Sequence, residues 1–271
     1  MPASYAMDVS RLTYAVMIQV DTILHRVPER EYEIRKDLRE ERIFTVDPQS
    51  AKDLDDALSI RANDDGTYDV GVHVADVSYF VKPNTALDRD ARKRATSVYL
   101  VQRSVPMLPP TLSEEVCSLN PGVERLAFSV IFTMTKEGKV VHKWMGKTVI
   151  KSVPFIIKVD VFSFYVRSSA KLSYTEAQTA IDGHHLGDVM VASEHSALAI
   201  EHDVKVLNDL AKQIRAKRFQ DGAMGLSSTR LEFTLDEDGH PVDCGQTENN
   251  DANIMVEEVC ASILSYADNR F

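Results

Sequence analysis

Asp47, Asp53, Asp55 and Asp56 fall within ten residues, in Thr45-Val46-Asp47-Pro48-Gln49-Ser50-Ala51-Lys52-Asp53-Leu54-Asp55-Asp56-Ala57-Leu58. They are interleaved with Val46, Leu54, Ala57, Leu58 and Ile60, so the segment favours burial while carrying four negative charges. Two carboxylates about 4 Å apart repel by ~4 kcal/mol at an effective dielectric near 20. Holding several of them together calls for a cation or for protons. Hard oxygen ligands at one locus suit Mg²⁺ or a similar ion such as Mn²⁺. The expected chemistry is that of a metal-binding site.

No single regular element gathers all four. On a strand, Asp53 and Asp55 share a face and Asp56 points to the other. On a helix, Asp53 and Asp56 are neighbours and Asp55 points elsewhere. A turn is therefore needed, and Pro48 supplies one by pushing Asp47 towards an extended conformation. The Ca²⁺ loop of an EF-hand is excluded, because its glycine and closing glutamate are absent. An acidic turn capping a helix at Asp53 remains the plain alternative.

The elements that must position this segment are legible in turn signals and periodicity. Leu58-Ser59-Ile60 and residues 68–75 flank Asp64-Asp65-Gly66, with Val70, Val72 and Val74 alternating with Gly71 and His73. Residues 126–134 and 140–149 flank Glu137-Gly138, and residues 231–235 and 241–243 flank Asp238-Gly239. Three hairpins are predicted. Residues 196–218 carry Leu198, Val204, Leu207, Leu210, Ala211 and Ile214 at helical spacing. Residues 28–42, alternating Glu and Arg, read as a solvated helix or approach arm. His73 reads as a strand histidine rather than a ligand. A mainly antiparallel sheet with segregated helices is an α+β fold.

Composition bounds the rest. Of 271 residues, 44% are apolar and 27% charged, which is globular, and the net charge of −10 argues against a basic scaffold gripping nucleic acid nonspecifically. Cys117, Cys244 and Cys260 are odd in number and far apart, matching neither a disulfide framework nor a zinc pattern. No stretch reaches transmembrane length, and no signal pattern precedes the apolar residues 13–24. A reducing, cytoplasmic setting without a membrane partner is expected. Two local basic runs stand out: Arg89, Arg92, Lys93 and Arg94, and Lys212, Arg215, Lys217 and Arg218. Such runs either track a phosphate backbone or form a solvated face.

Phe44-Thr45-Val46-Asp47-Pro48 followed by Ala51-Lys52-Asp53-Leu54-Asp55-Asp56-Ala57 resembles the active-site signature of the RNB-domain, or ribonuclease II, family. Gly71-Val72-His73-Val74-Ala75-Asp76-Val77, Arg94-Ala95-Thr96-Ser97-Val98-Tyr99-Leu100, Val105-Pro106-Met107-Leu108-Pro109 and Cys117-Ser118-Leu119-Asn120-Pro121 follow in family order. The similarity covers residues 28–258, and Lys36-Asp37-Leu38-Arg39 with Ser78-Tyr79-Phe80-Val81 places it nearest the eukaryotic, cytoplasmic, exosome-independent (Dis-three-like) branch. Residues 1–27 are left as a separate N-terminal segment.

The resemblance implies roles. Asp47 and Asp56 match the family's Mg²⁺ ligands, and Asp53 and Asp55 match residues that complete the metal site and orient the attacking water. Tyr99 matches an aromatic that stacks on a base near the RNA 3′ end. Tyr174 and Glu257 match positions near ribose or base, where a 2′-OH contact separates RNA from DNA. Arg92 and Arg94 are expected RNA contacts from their place in the first basic run, a reading the resemblance strengthens. As alternatives, Tyr99 is a core residue and Tyr174 a strand aromatic. Leu226 stands where the bacterial members stack a phenylalanine.

The implied function is a Mg²⁺-dependent 3′-to-5′ exoribonuclease that hydrolyses single-stranded RNA to nucleoside 5′-monophosphates, acting as a monomer without DNA. Reduced activity is expected, because the family's distal arginine and flanking OB folds lie outside this sequence. An RNA-binding relative without turnover, or a metal-dependent small-molecule phosphohydrolase, are the competing readings. Residues 153–168 interrupt the family pattern and residues 259–271 leave it. Both begin with valine, whose codons start with GT, so translated intron or gene-model artefact is expected for both. A genuine surface insertion is the rival.

Overall fold

The computed structural model describes residues 27–101, 103–151, 155–157, 171–186, 189–191, 196–225, 230–236, 240–247 and 249–267. The chain opens with α1 (Glu29–Ile34), β1 (Lys36–Leu38), β2 (Ile43–Asp47), β3 (Asp56–Ala62), β4 (Tyr68–Ala75), α2 (Val77–Phe80) and α3 (Ala86–Arg94). β5 (Val98–Tyr99), β6 (Ser104–Val105) and a π-helical turn (Thr111–Val116) lead into the long β7 (Glu124–Met134) and β8 (Val140–Lys151). Next come β9 (Phe155–Ile157), β10 (Lys171–Ser173), α4 (Tyr174–Ile181), β11 (Val189–Val191) and α5 (Ala197–Gln220). β12 (Arg230–Leu235), β13 (Pro241–Thr247) and α6 (Asp251–Ala267) follow.

Turn chemistry builds the centre. Gly66 at φ 82° and Gly138 at φ 73° take the left-handed backbone that closes the β3–β4 and β7–β8 hairpins. Asp65 Oδ1 accepts from Thr67 N at 2.9 Å and braces the first of them. Seven strands then join in the order β1-β8-β7-β4-β3-β2-β10. The five central strands are mutually antiparallel, and β1 and β10 add to the two edges in parallel. Leu58, Val72 and Val130 stand in register across β3, β4 and β7, so one face is apolar at each of these strands.

Helices cover both faces. On the first face, Phe44, Leu58, Val72, Val130 and Phe132 pack against Ile200, Val204 and Leu207 of α5 and Met255 and Val259 of α6. On the second, Ile43, Ala57, Ala75, Ala127 and Ile150 pack beneath Phe80, Leu87, Leu112, Val116 and Leu119. Ser196 caps α5 by accepting from Ala199 N, and a Ser173–Glu176 capping box starts α4. The α+β expectation and its three hairpins and long helix hold.

Several local expectations differ. Residues 28–42 are helical over Glu29–Ile34, as one alternative expects, but they are not solvated throughout. Glu31 and Arg35 are 1% and 5% exposed, and Arg35 donates to Glu31 and to Asp76 of the β4–α2 junction, each at 2.7 Å. A buried guanidinium needs such partners, and Asp76 is invisible to a local reading. No helix begins at Asp53; the segment runs into β3 instead. His73 is a strand histidine, buried between Ser59 Oγ at 2.9 Å and Ser129 Oγ at 2.7 Å. Of residues 153–168, Phe155–Ile157 pairs with Val189–Val191, and the remainder lies outside the described residues, as do residues 1–26 and Leu226. α6 runs unbroken through residue 259, whose side chain is buried in the core.

Candidate active site

Asp47 ends β2, Asp56 begins β3, and residues 48–55 bridge them. Pro48 O accepts from Ala51 N at 2.9 Å, closing the turn that proline predicts. Beyond it the loop is fastened on two sides. Ser118 Oγ accepts from Leu54 N at 3.0 Å and donates to Lys52 O at 2.9 Å, while Leu119 N donates to Leu54 O at 2.9 Å. From β10, Lys171 Nζ donates to Pro48 O at 3.1 Å and to Ala51 O. Asp55 O accepts from Ala75 N at 2.9 Å, tying the far end to β4. Ser118 in turn is seated by Arg125, which donates to Ser118 O at 3.0 Å and Glu115 O at 2.9 Å.

The carboxylates feel one another. Burial pushes Asp47 up to about 6, the charges of Asp56 and Asp55 push the same way, and Thr45 and Lys171 pull against them. Asp55 is pushed up to about 6 by desolvation, then by Asp53 and Asp56. Asp47 Oδ2 is buried and has no hydrogen-bond partner among the described residues. Leaving such an acceptor unsatisfied costs about 1–3 kcal/mol. A hard divalent cation is the partner that four carboxylate donors and one orphaned oxygen would suit. Among the described residues, no three His, Cys, Asp or Glu side chains are drawn close enough together to enclose an ion as they stand.

Two neutral donors reach the cluster. Tyr99 is 69% exposed, so it is not a core residue, and its hydroxyl donates to Asp53 Oδ2 at 2.7 Å. That bond is the main reason its phenol is pushed up to about 12. Cys260 of α6 donates to Asp56 Oδ2 at 3.2 Å, and burial, then the Asp56 charge, pushes its thiol up. The ring of Tyr99 stays open to solvent.

The other sequence-predicted residues sit differently. Tyr174 is the first residue of α4 rather than a strand aromatic, and is packed against the first core. Glu257 points outward with half its side chain exposed, whereas its neighbour Glu258 is buried and bound by Arg215 and Arg218. Arg92 and Arg94 pair with Asp88 and Asp90 one turn earlier on α3, at 3.2 and 3.0 Å. Both basic runs therefore have acidic partners close by. Ser118, Lys171 and Cys260 receive no role from the sequence. Ser118 lies inside the Cys117–Pro121 motif, but Lys171 and Cys260 carry no local signal.

Residues 35–263 match the RNB domain family profile. The chain is 46% identical over 236 residues to DIS3-like exonuclease 2 of Schizosaccharomyces pombe, covering 86% of this chain and 24% of that protein. It is 44% identical over 236 residues to a protein of Arabidopsis thaliana named "Inactive exonuclease DIS3L2", covering 86% and 21%. Among solved structures, RNase R of Mycoplasma genitalium in complex with ribose-methylated single-stranded RNA superposes with a TM-score of 0.75 at 23% identity, covering 94% of this chain and 37% of that one. This chain thus spans about a quarter of the length of the curated relatives it matches.

Proposed function

The chain belongs to the RNB domain family, and from that premise we propose that it carries the aspartate site of a Mg²⁺-dependent 3′-to-5′ exoribonuclease acting on single-stranded RNA. The observation that carries this reading is the buried Asp47 Oδ2, without a hydrogen-bond partner among the described residues, beside carboxylates whose charges add to the raised proton affinity of Asp47 and Asp55. Mg²⁺ at such a site supplies charge neutralisation at a phosphate and activation of a water. Asp47 and Asp56 would hold it, and Asp53 and Asp55 complete the set. Mn²⁺ fits the same oxygen donors.

The protein's own groups account for the rest. The exposed ring of Tyr99 offers a sequence-tolerant stacking face at the edge of the cluster. Its hydroxyl, bound to Asp53, sets that ring against the carboxylates. Lys171, held over the loop carbonyls, adds positive charge next to Asp47. Tyr174 and Glu257 are proposed near the ribose, and Arg92 and Arg94 near the backbone, once RNA competes for their present partners. The same reading makes the protein a cytoplasmic monomer that releases nucleoside 5′-monophosphates and does not use DNA. Among the described residues, no helix is long and apolar enough to cross a membrane.

A second reading, RNA binding without turnover, is favoured by the 44% identity to a relative named inactive. Asp55→Asn separates the two. On a 3′-labelled single-stranded RNA with Mg²⁺, the wild-type chain shortens the substrate and EDTA stops it. Asp55→Asn abolishes shortening while single-strand affinity stays near that of the wild type. Retained cleavage in the variant, or equal loss of binding and cleavage, would sink the assignment. A chain extended at its C terminus should cut faster than these 271 residues.

A further inference from the structure

Cys260 is a thiol that the RNB reading leaves unused. It lies 204 positions from Asp56 in sequence, yet its Sγ is 3.2 Å from Asp56 Oδ2. An ionised carboxylate has no proton to give, so the thiol donates. The contact is anchored at both ends. On the helix side, Ala252, Met255 and Val259 of α6 are buried in the first core, and Glu258 is gripped by Arg215 at 2.7 Å and Arg218 at 2.9 Å from α5. On the sheet side, Asp56 is the first residue of β3 and is paired in register with Val74. The thiol therefore meets one oxygen of one aspartate from a helix that cannot readily turn away.

We propose that Cys260 is a positioning residue for Asp56: its S–H holds Oδ2 and so sets the orientation in which Asp56 presents its carboxylate to a divalent cation. The proposal rests on the metal reading of the aspartates. Groups that hydrogen-bond to a ligating carboxylate orient it, and losing one typically weakens metal affinity about 10–100-fold. A thiol is a weak donor, so the lower end of that range applies here. A packing role alone would instead follow side-chain volume, because Cys260 is partly buried and packed against the first core.

Two substitutions separate donor from volume. Cys260→Ser keeps a donor and loses bulk; Cys260→Val keeps bulk and loses the donor. Mn²⁺ binding to the full chain is measured by titration calorimetry, with thermal midpoints in EDTA as the folding control. Cys260→Ala stands in if the valine variant does not fold. The expected result is an Mn²⁺ dissociation constant close to wild type for serine and about tenfold weaker for valine or alanine. Equal weakening by serine and valine, or no weakening by either, overturns the proposal and leaves the metal reading standing. A wild-type chain that binds no Mn²⁺ takes down both.

Discussion

Replacing Asp47 by asparagine should stabilise the metal-free chain at alkaline pH, and that advantage should narrow or reverse once metal is bound. The Asp47 carboxyl is pushed from 3.8 to about 6 by burial and by its acidic neighbours. A raised carboxyl binds its proton more tightly folded than unfolded. Its stabilising contribution is therefore complete below about pH 4 and is lost as pH rises through 6. Two units correspond to about 3 kcal/mol at pH 8, or about 2 kcal/mol once solvent at this half-buried position is allowed for. At roughly 2–4 °C per kcal/mol in a chain of this size, Asp47→Asn in EDTA at pH 8 should melt some 4–8 °C higher, with little change at pH 4. Mg²⁺ at a hundred times its dissociation constant stabilises the wild type by about 2.7 kcal/mol. The variant, lacking one ligand, gains less, so the order of stabilities narrows or reverses. Thermal denaturation in EDTA and in Mg²⁺, at both pH values, reads all four quantities. An asparagine variant less stable than wild type in EDTA at pH 8, or equal Mg²⁺ shifts in both proteins, would refute the reasoning.

Tyr99→Ala should weaken binding of short single-stranded RNA by about 1–3 kcal/mol, whereas Tyr99→Phe, which keeps the ring and loses the Asp53 bond, should keep most of the affinity in a fluorescence titration. Ser118→Ala leaves Leu54 N without its acceptor, so urea denaturation should show a loss of about 1–3 kcal/mol, and Mg²⁺ affinity should fall with it. Burial pushes His73 down to about 3, so its contribution is present above 6.5 and lost as pH falls towards 3. His73→Gln should accordingly be less acid-sensitive than wild type between pH 6.5 and 5, by up to about 2 kcal/mol. An identical pH slope in the two proteins would show that His73 is not the group responsible.

The local code determined the scaffold. Asp65-Gly66 and Glu137-Gly138 name the turns, alternation at Val70, Val72 and Val74 names a strand, and helical spacing over residues 196–218 names the helix observed at Ala197–Gln220. These signals survive because hairpin turns and amphipathic faces are set by neighbours a few residues apart. The aspartate segment could also be singled out from the sequence, since four charges among apolar residues conflict with burial wherever they fold. What holds that segment could not. Ser118 reaches Leu54 across 64 residues, Lys171 reaches Pro48 across 123, and Cys260 reaches Asp56 across 204. The same distance rule misled the reading of residues 28–42, where alternating charges look solvated until Asp76 arrives from 41 residues away to pair with Arg35. Arg92 and Arg94 show the reverse. Their acidic partners are four residues away, and only the folded helix decides that those rotamers are used. Burial and pairing are properties of the assembled sheet and its two helical layers, because the dielectric and the partner that set each charge's cost exist only once distant segments meet.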